Sequence, residues 1–257
     1  MPTPSFEVHR FEALESTNDW LLTEARRGAP SWTVAVADFQ QRGRGRLDRR
    51  WEAPAGSSLL CSVLLRVGLE ARLRHLATVA VALSASSSCH EVADVGVGIK
   101  WPNDLVVADR KLGGILAETD GADADDATVA IVVGLGVNLT WPGPPEALGT
   151  CLVAEAGGPV DRDELLETYL GELATRAKAL TTAVGRERLL AEYRGELVTI
   201  GRDVRVELPS ETVNGVAQGV TDEGHLIVAS TAGQRVVAAG DVVHLRPTGK
   251  GQEEPHE

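Results

Sequence analysis

A cluster of arginines interleaved with glycines is the feature of this sequence best suited to bind an anionic ligand. In QQRGRGRLDRRW at 40–51, five arginines fall within nine residues of a chain whose net charge is −12. Glycine lets backbone amides approach a ligand closely, and guanidinium groups form charge-assisted hydrogen bonds with phosphate oxygens. The pattern favours a mobile loop that closes over a polyphosphate or an acyl phosphate. A solvated charge run and a nucleic-acid patch are the alternatives, and one short basic cluster on an acidic chain makes the nucleic-acid patch the weaker of the two.

Two further segments combine polar side chains with predicted turns. KWPNDL at 100–105 ends a predicted strand in a Pro-Asn-Asp turn, whose amide and carboxylate could orient a phosphate, a nucleophile or the ligands of Mg²⁺. In DRKLGGIL at 109–116, Lys111 lies beside a pair of glycines that leaves room for a ligand against the backbone. An ammonium group there could stabilise negative charge on a carboxylate that attacks phosphorus. Taken alone, the first segment is also typical of a simple tight turn, and the second of a surface hairpin.

Several other kinds of site are not indicated. GLGVNL at 134–139 contains a GxG step, which is weak evidence and matches neither a dinucleotide-binding fingerprint nor a P-loop. The sequence contains no GxxxxGK[ST], HExxH or GxSxG motif, and its six histidines are scattered singly. The three cysteines form no CxxC pair, so neither a disulfide framework nor a cysteine zinc site is predicted. Any ATP would therefore be bound without a Walker motif.

The composition is that of an ordinary globular protein. Hydrophobic residues make up 43% and charged residues 24% of the 257 residues. The N-terminus lacks the apolar core of a secretory signal, and the most apolar long stretch, at 76–85, has half the roughly 20 residues that a membrane span requires. We therefore expect a cytoplasmic protein without membrane contact.

Hydrophobic periodicity and turn residues predict a mixture of helices and strands. Ser16 and Gly28 are placed to begin and end a helix. Because the elements follow no regular βαβ repeat, we expect an α+β sheet with helices on one face. Segments 120–126 and 142–158 are interpreted as connections. Strands are predicted at 33–38, 58–66, 95–101 and 128–139, a hairpin at 105–107 and 112–118, and further helices at 73–92, 162–180 and 186–196.

The pattern changes near Gly201, where short β runs separated by turn residues begin. They predict a barrel-like, all-β module of roughly 45 residues. We therefore expect a catalytic domain at 6–199, the β module at 200–247 and a disordered tail at 248–257.

Together these segments resemble the biotin–protein ligases. The sequence contains STN at 16–18, QQxGRGR at 40–46, KWPNDL at 100–105, DRKLGGIL at 109–116 and GxGxN at 134–138, in the order of that family. The β module also matches in position and size, so that the resemblance extends over nearly all of 6–247.

The resemblance implies a fold, an activity and a carrier. The fold would be an α+β catalytic domain like that of class II synthetases, followed by an SH3-like β-barrel. The carboxylate of biotin would attack the α-phosphate of Mg-ATP, forming biotinyl-5′-AMP and releasing pyrophosphate. A lysine of a biotin carboxyl carrier protein, a subunit of an acetyl- or acyl-CoA carboxylase, would then attack this mixed anhydride.

The resemblance also implies three overlapping groups of site residues, with Mg²⁺ bound mainly through the ATP phosphates and no protein metal ligand assigned. Within them, Ser16, Thr17 and Gln40 would bind the ureido head, and Lys111 would bridge the biotin carboxylate and the α-phosphate. The catalytic group is Lys111, Arg46 and Asp104. The biotin-binding group is Ser16, Thr17, Asn18, Gln40, Gly43, Arg44, Gly45, Arg46, Lys111, Gly114 and Leu116. The ATP-binding group is Arg46, Arg49, Trp51, Asn103, Lys111 and Asn138.

This sequence departs from the family pattern at two residues and at its N-terminal end. Asp48 replaces a usual glycine and Ser58 a common asparagine. Family members that repress transcription carry an N-terminal helix-turn-helix domain, whereas this sequence begins directly at the catalytic domain. We therefore expect a monofunctional ligase that does not bind DNA, as a monomer or weak homodimer. A lipoate or octanoyl ligase of similar fold is the alternative enzyme, opposed by the arginine–glycine loop and KWPND. A non-catalytic biotin sensor or repressor is opposed by the intact Lys111.

Overall fold

A mixed β-sheet forms the centre of the larger part of the protein. The computed structural model describes residues 4–47, 49–119, 129–145, 148–208 and 210–245, and the chain divides into two units, Met1–Leu197 and Val198–Glu257. Within the described residues, the sheet of the first unit has seven strands: β1 (Glu7–Leu14), β2 (Thr33–Gln40), β3 (Ser58–Val67), β4 (Gly98–Lys100), β5 (Asp104–Val107), β6 (Arg110–Thr119) and β7 (Val129–Asn138). Their spatial order is β1-β2-β3-β7-β6-β5-β4, with β1 parallel to β2 and all other neighbours antiparallel.

The helices begin and end at residues that can cap a helix terminus. The Ser16 hydroxyl accepts a hydrogen bond from the Asp19 amide at the start of the first helix, and Gly28 follows its end with φ +91°. Asp161 caps a later helix by accepting from two amides. The helices are α1 (Thr17–Arg26), α2 (Leu76–Ala93), α3 (Leu152–Ala156), α4 (Arg162–Ala179) and α5 (Ala183–Glu196).

The helices divide between the two faces of the sheet. Successive side chains of a strand point to opposite faces. In β3, Cys61 faces Tyr169 of α4, whereas Ser62 faces the first turn of α1. The expected helical layer on one face is thus formed by α2 and α4, and α1 is added on the opposite face. The face that carries α1 also carries the polar residues singled out in the sequence.

The second unit is an antiparallel β module, as expected for the C-terminal region. Its described strands are β8 (Asp203–Glu207), β9 (Thr212–Val220), β10 (Leu226–Ser230), β11 (Gly233–Val237) and β12 (Asp241–His244), in the order β11-β10-β9-β8-β12. Alternate residues such as Val204, Val206 and Val228 are buried, so that the strands cover a small apolar core. The expected tail at 248–257 lies outside the described residues.

Three elements differ from the expectation. Strand β1 was not predicted, and the strand predicted at 95–101 is confined to Gly98–Lys100. The short helix α3 interrupts the connection expected at 142–158. The loop expected at 120–126 lies outside the described residues, as does Asp48. No helix among the described residues is long and apolar enough to cross a bilayer.

Candidate active site

The floor of the candidate site is a strip of small residues on the α1 face of the sheet. Gly114 of β6 is paired with Gly136 of β7, and Leu116 is paired with Gly134 two residues further along. A Cβ atom on Gly134 would lie 2.4 Å from Asn18 Oδ1, so only glycine admits the first turn of α1 at this distance. Gly134, the first glycine of the GxG step, therefore serves close packing against α1, and it brings the STN and GGIL segments together.

A buried polar cluster lies where α1 meets this floor. Gln40 Oε1, at the end of β2, accepts hydrogen bonds from the Thr17 amide at 2.8 Å and from the Thr17 hydroxyl at 3.1 Å. Ser16 and Thr17 are 4% and 3% exposed. Three of the predicted biotin-binding residues are thus adjacent, and they offer amide and hydroxyl groups without net charge.

Asn18 is held by two residues that sequence reasoning missed. Its side-chain amide donates to Glu118 Oε2 at 2.7 Å and to the Leu116 carbonyl at 3.1 Å, and its Oδ1 lies 2.6 Å from the Ser62 hydroxyl. Ser62 also lies 2.7 Å from the Thr17 hydroxyl. The signals in the sequence are a serine inside an apolar strand and a carboxylate that closes the GGIL strand. Because the amide of Asn18 is occupied in this way, it links α1 to β6 and β3.

The arginine-rich segment folds into a tight hairpin. The Gly45 amide donates to the Arg49 carbonyl at 2.7 Å, and the Trp51 amide donates to the Gly43 carbonyl at 2.9 Å. A Cβ atom on Gly43 would lie 2.3 Å from the Trp51 carbonyl oxygen, so this close approach requires glycine. Arg44 and Arg50 face each other across the hairpin. The segment that was predicted to be a mobile loop is thus held as a hairpin by these contacts, and we call it the arginine hairpin.

The indole of Trp51 lies on the glycine floor. A Cβ atom would be 2.8 Å from the ring at Gly136 and 3.3 Å from it at Gly114. The indole N–H is buried and has no hydrogen-bond partner among the described residues. Lys111 Nζ lies 5.8 Å from the ring centroid, within reach of a cation–π interaction. The tryptophan thus connects the hairpin to the predicted catalytic lysine.

The hairpin of β5 and β6 positions a cation and a carboxylate at the edge of this floor. Its turn residues Ala108 and Asp109 both have positive φ, 48° and 66°. The turn brings Lys111 Nζ to 2.7 Å from Asp104 Oδ1, with the two side chains 39% and 25% exposed. This ion pair fixes the Lys111 ammonium group at the edge of the floor.

Asn103 links the arginine hairpin to the strands that carry Asp104 and Lys111. Its Oδ1 accepts from Arg46 Nη1 at 3.2 Å, and its side-chain amide donates to the Ile115 carbonyl at 2.8 Å. The predicted residues Arg46, Asn103, Asp104 and Lys111 are therefore adjacent.

Asn138 has a different setting from the other predicted ATP-binding residues. Its side-chain amide donates to the Thr150 carbonyl at 3.0 Å, and its side chain is buried. The Thr150 amide in turn donates to the Lys111 carbonyl at 2.9 Å. Asn138 therefore holds the 148–150 segment against the strand that carries Lys111.

A cavity of about 340 Å³ lies beside the arginine hairpin and is lined in part by Gln40, Gly43, Arg50, Trp51 and Trp141. Trp141 was not singled out in the sequence; its only signal there is a tryptophan soon after a buried strand. The mixture of indoles and a guanidinium suits a flat group that carries negative charge nearby.

The buried cysteines are not candidates for catalysis. Burial raises the pKa of the Cys61 and Cys89 thiols to about 12. Thiolate is the reactive form, so both are inert near neutral pH.

Comparison with known proteins identifies the family. Residues 11–138 match the Biotin/lipoate A/B protein ligase family, and residues 199–245 match the Biotin protein ligase C terminal domain. A biotin–[acetyl-CoA-carboxylase] ligase of Mycobacterium tuberculosis is 36% identical, over 90% of this chain and 86% of the relative. The chain belongs to the biotin protein ligase family. A second such ligase, from Paracoccus denitrificans, is 30% identical over 89% of this chain and 96% of the relative.

Solved structures of biotin protein ligases share the fold. The Aquifex aeolicus biotin protein ligase in complex with biotin and ATP aligns with a TM-score of 0.78 at 24% identity, covering 93% of this chain and 99% of that one. The Leishmania major ligase in complex with biotinyl-5-AMP aligns with a TM-score of 0.62 at 22% identity, covering 91% and 99%. At these identities the likeness concerns the architecture, and it agrees with the expected α+β domain followed by a β module.

Proposed function

We propose that this protein activates biotin with ATP to biotinyl-5′-AMP and transfers the biotin to a lysine of a biotin carboxyl carrier protein. The observation that carries the proposal is the adjacency of three groups on one sheet face. A neutral polar cluster around Thr17 and Gln40, the Lys111–Asp104 pair and the arginine hairpin border the same glycine floor. The relatives named as biotin–[acetyl-CoA-carboxylase] ligases support the choice of substrate and carrier.

The polar cluster suits the uncharged cyclic urea of biotin. A urea carbonyl needs donors and its two N–H groups need acceptors, all held in a fixed geometry. Ser16, Thr17 and Gln40 supply hydroxyl and amide groups from the start of α1 and the end of β2. Backbone groups of 43–46 complete the head pocket, while Gly114 and Leu116 line its floor.

Lys111 acts on the carboxylate end of the same ligand. In the first step, a carboxylate oxygen of biotin forms a bond to the α-phosphorus of ATP, and the bond to pyrophosphate breaks. Negative charge gathers between the two reactants, and a fixed ammonium there lowers the barrier. In the second step, the neutral amine of the carrier lysine attacks the acyl carbon, AMP leaves and the amine loses a proton.

The arginine hairpin protects the intermediate. An acyl adenylate hydrolyses when water reaches it, so a closed site is required between the two steps. In this proposal Arg46, Arg49 and Trp51 of the arginine hairpin cover the adenylate, and the hydrogen bond from Arg46 to Asn103 supports that role. Asn138 contributes by holding the chain next to Lys111.

Magnesium fits this site as a companion of the ATP phosphates. The described residues contain no group of three His, Cys, Asp or Glu side chains that could hold a metal ion. Mg²⁺ commonly keeps several waters and uses one or two carboxylates together with substrate phosphates. Asp104 is the carboxylate next to Lys111 and would contribute to this shell, where the ion neutralises phosphate charge.

The proposal also covers the location, the oligomeric state and the DNA binding of the protein. We expect a cytoplasmic enzyme, a monomer or weak homodimer, that does not bind operator DNA; the net charge of −12 supports the last point. Sedimentation with and without biotin and ATP tests the oligomeric state. A gel shift with genomic fragments tests DNA binding, and a retarded band would contradict the expectation.

Mass spectrometry tests the activity. Purified protein is incubated with biotin, MgATP and a carrier domain, and the carrier is expected to gain the mass of one biotinyl group. Because the matching family also includes lipoate ligases, lipoate replaces biotin in a parallel reaction. A carrier that gains lipoyl mass instead, or gains nothing, would contradict the proposal.

A further inference from the structure

Beyond the residues implied by the family resemblance, Glu118 is at the centre of a charged contact under the arginine hairpin. Glu118 Oε2 accepts from Arg44 Nη2 at 2.9 Å and from the side-chain amide of Asn18 at 2.7 Å. Asp19 Oδ1 contacts the same guanidinium at 2.5 Å. Two carboxylates from different elements, α1 and β6, therefore hold one arginine side chain.

The contact extends into the polar cluster. From Glu118, hydrogen-bonding contacts continue through Asn18, Ser62 and Thr17 to Gln40. Asn18, Ser62 and Thr17 are 4%, 0% and 3% exposed, so this chain of contacts runs through the interior. Gln40 lies just before the arginine hairpin and Arg44 lies just inside it. One connected network of contacts therefore holds the start of the hairpin.

The side chain of Arg44 is anchored by this network. With the guanidinium held by Asp19 and Glu118, the start of the arginine hairpin is fixed next to the polar cluster. An arginine held by two carboxylates has fewer accessible rotamers than a solvated one, and fixing it reduces the ordering cost of ligand binding.

We infer that Glu118 is a positioning residue for biotin, which acts by holding Arg44 and Asn18 in the geometry that shapes the head pocket. The inference rests on the proposed biotin ligase function. Glu118 itself touches neither biotin nor ATP in this account. Its loss should therefore weaken binding of the head group while leaving the chemistry at Lys111 intact.

Steady-state kinetics of the full chain test the inference. Glu118→Gln keeps an oxygen for Asn18 but removes the charge that holds Arg44. We expect the KM for biotin to rise about tenfold, given the strength of charged hydrogen bonds reduced by partial exposure, with kcat within about twofold of wild type. The wild-type KM for biotin should also rise with salt, and that of the variant should respond less.

A matched control and a second variant complete the design. Glu15→Gln removes the exposed partner of Arg42 in the same segment and should leave both kinetic constants unchanged. Arg44→Gln, whose side chain is 40% exposed, should reproduce the effect of Glu118→Gln without loss of folding, and the double variant should be no worse than either single one.

Distinct outcomes separate this inference from the proposed function. If wild type forms no biotinyl-adenylate, the proposed function fails. If wild type is active but both Glu118→Gln and Arg44→Gln keep its KM for biotin within twofold, the positioning role is overturned. A parallel fall of kcat and melting temperature in both variants would also overturn it, because that is the signature of a merely structural contact.

Discussion

Replacement of Lys111 by alanine should separate catalysis from folding. Lys111 pairs with Asp104 at 2.7 Å, but the two side chains are 39% and 25% exposed. Ion pairs with this access to water typically contribute about 0–1 kcal/mol to stability. A loss of about 1 kcal/mol corresponds to a fall in melting temperature of about 2–4 °C for a domain of this size. Folding should therefore be nearly intact.

The effect on the reaction should be much larger. A preorganised charge that acts where negative charge develops typically contributes about 10²–10³ in rate. Adenylate formation, followed in single turnovers with biotin and MgATP, should slow by that factor in Lys111→Ala. Arg110→Ala is the matched control, because it removes the neighbouring cation, paired with Glu155 at 2.8 Å, and should keep the wild-type rate. A Lys111→Ala rate within tenfold of wild type, or a loss of melting temperature beyond about 10 °C, would refute the reasoning.

Four further expectations concern the arginine hairpin, the glycine floor and the buried core. Arg46→Ala should speed dissociation of the adenylate in a chase with unlabelled biotin, because Arg46 of the arginine hairpin is proposed to cover it. An unchanged off-rate would count against that role of the hairpin. Gly136→Ala would bring a Cβ atom to 2.8 Å from the Trp51 ring, so that the indole must move and the near-ultraviolet circular dichroism should change; an unaltered spectrum would contradict the contact. The Tyr169 hydroxyl is buried without a partner among the described residues, so Tyr169→Phe should leave the free energy of unfolding unchanged or raise it by about 1 kcal/mol; a loss above about 2 kcal/mol in urea unfolding would contradict this. Burial raises the pKa of the Cys61 thiol from 9.0 to about 12, so its contribution to stability is complete below pH 9.0 and is lost as the pH rises towards about 12. In urea unfolding above pH 9.0, the free energy of unfolding should therefore fall more steeply with pH for wild type than for Cys61→Ala. Equal slopes would contradict this expectation.

Local signals in the sequence predicted most of the first unit. Ser16 and Gly28 mark the ends of α1 because their chemistry acts within a few residues. Long apolar runs such as Ser58–Val67 are strands because both of their faces are buried. Strand β1 was not predicted because it is an edge strand that carries charged residues and has no fully buried residue. Helix α3 has only five residues, too few for a helical period to appear.

The candidate site was predictable where chemistry resides in short motifs, and not where it depends on distant partners. Lys111 and Asp104 belong to neighbouring motifs, and the predicted hairpin brings them together. Glu118 is 100 residues from Asn18 in the chain, and Ser62 is 44 residues from it, so no local pattern could join them. Contacts of this kind are set by strand order, which the sequence pattern alone did not provide.

Retention of the adenylate by the protein is a measurable consequence of the proposed site. The protein is mixed with biotin and ATP labelled at the α-phosphate and is passed rapidly through a desalting column. We expect label to elute with the protein in stoichiometric amount, only when biotin is present, and to leave as AMP when a carrier domain is added. Label that never accompanies the protein, or that does so equally without biotin, would contradict the claim that this sheet face holds an activated biotin.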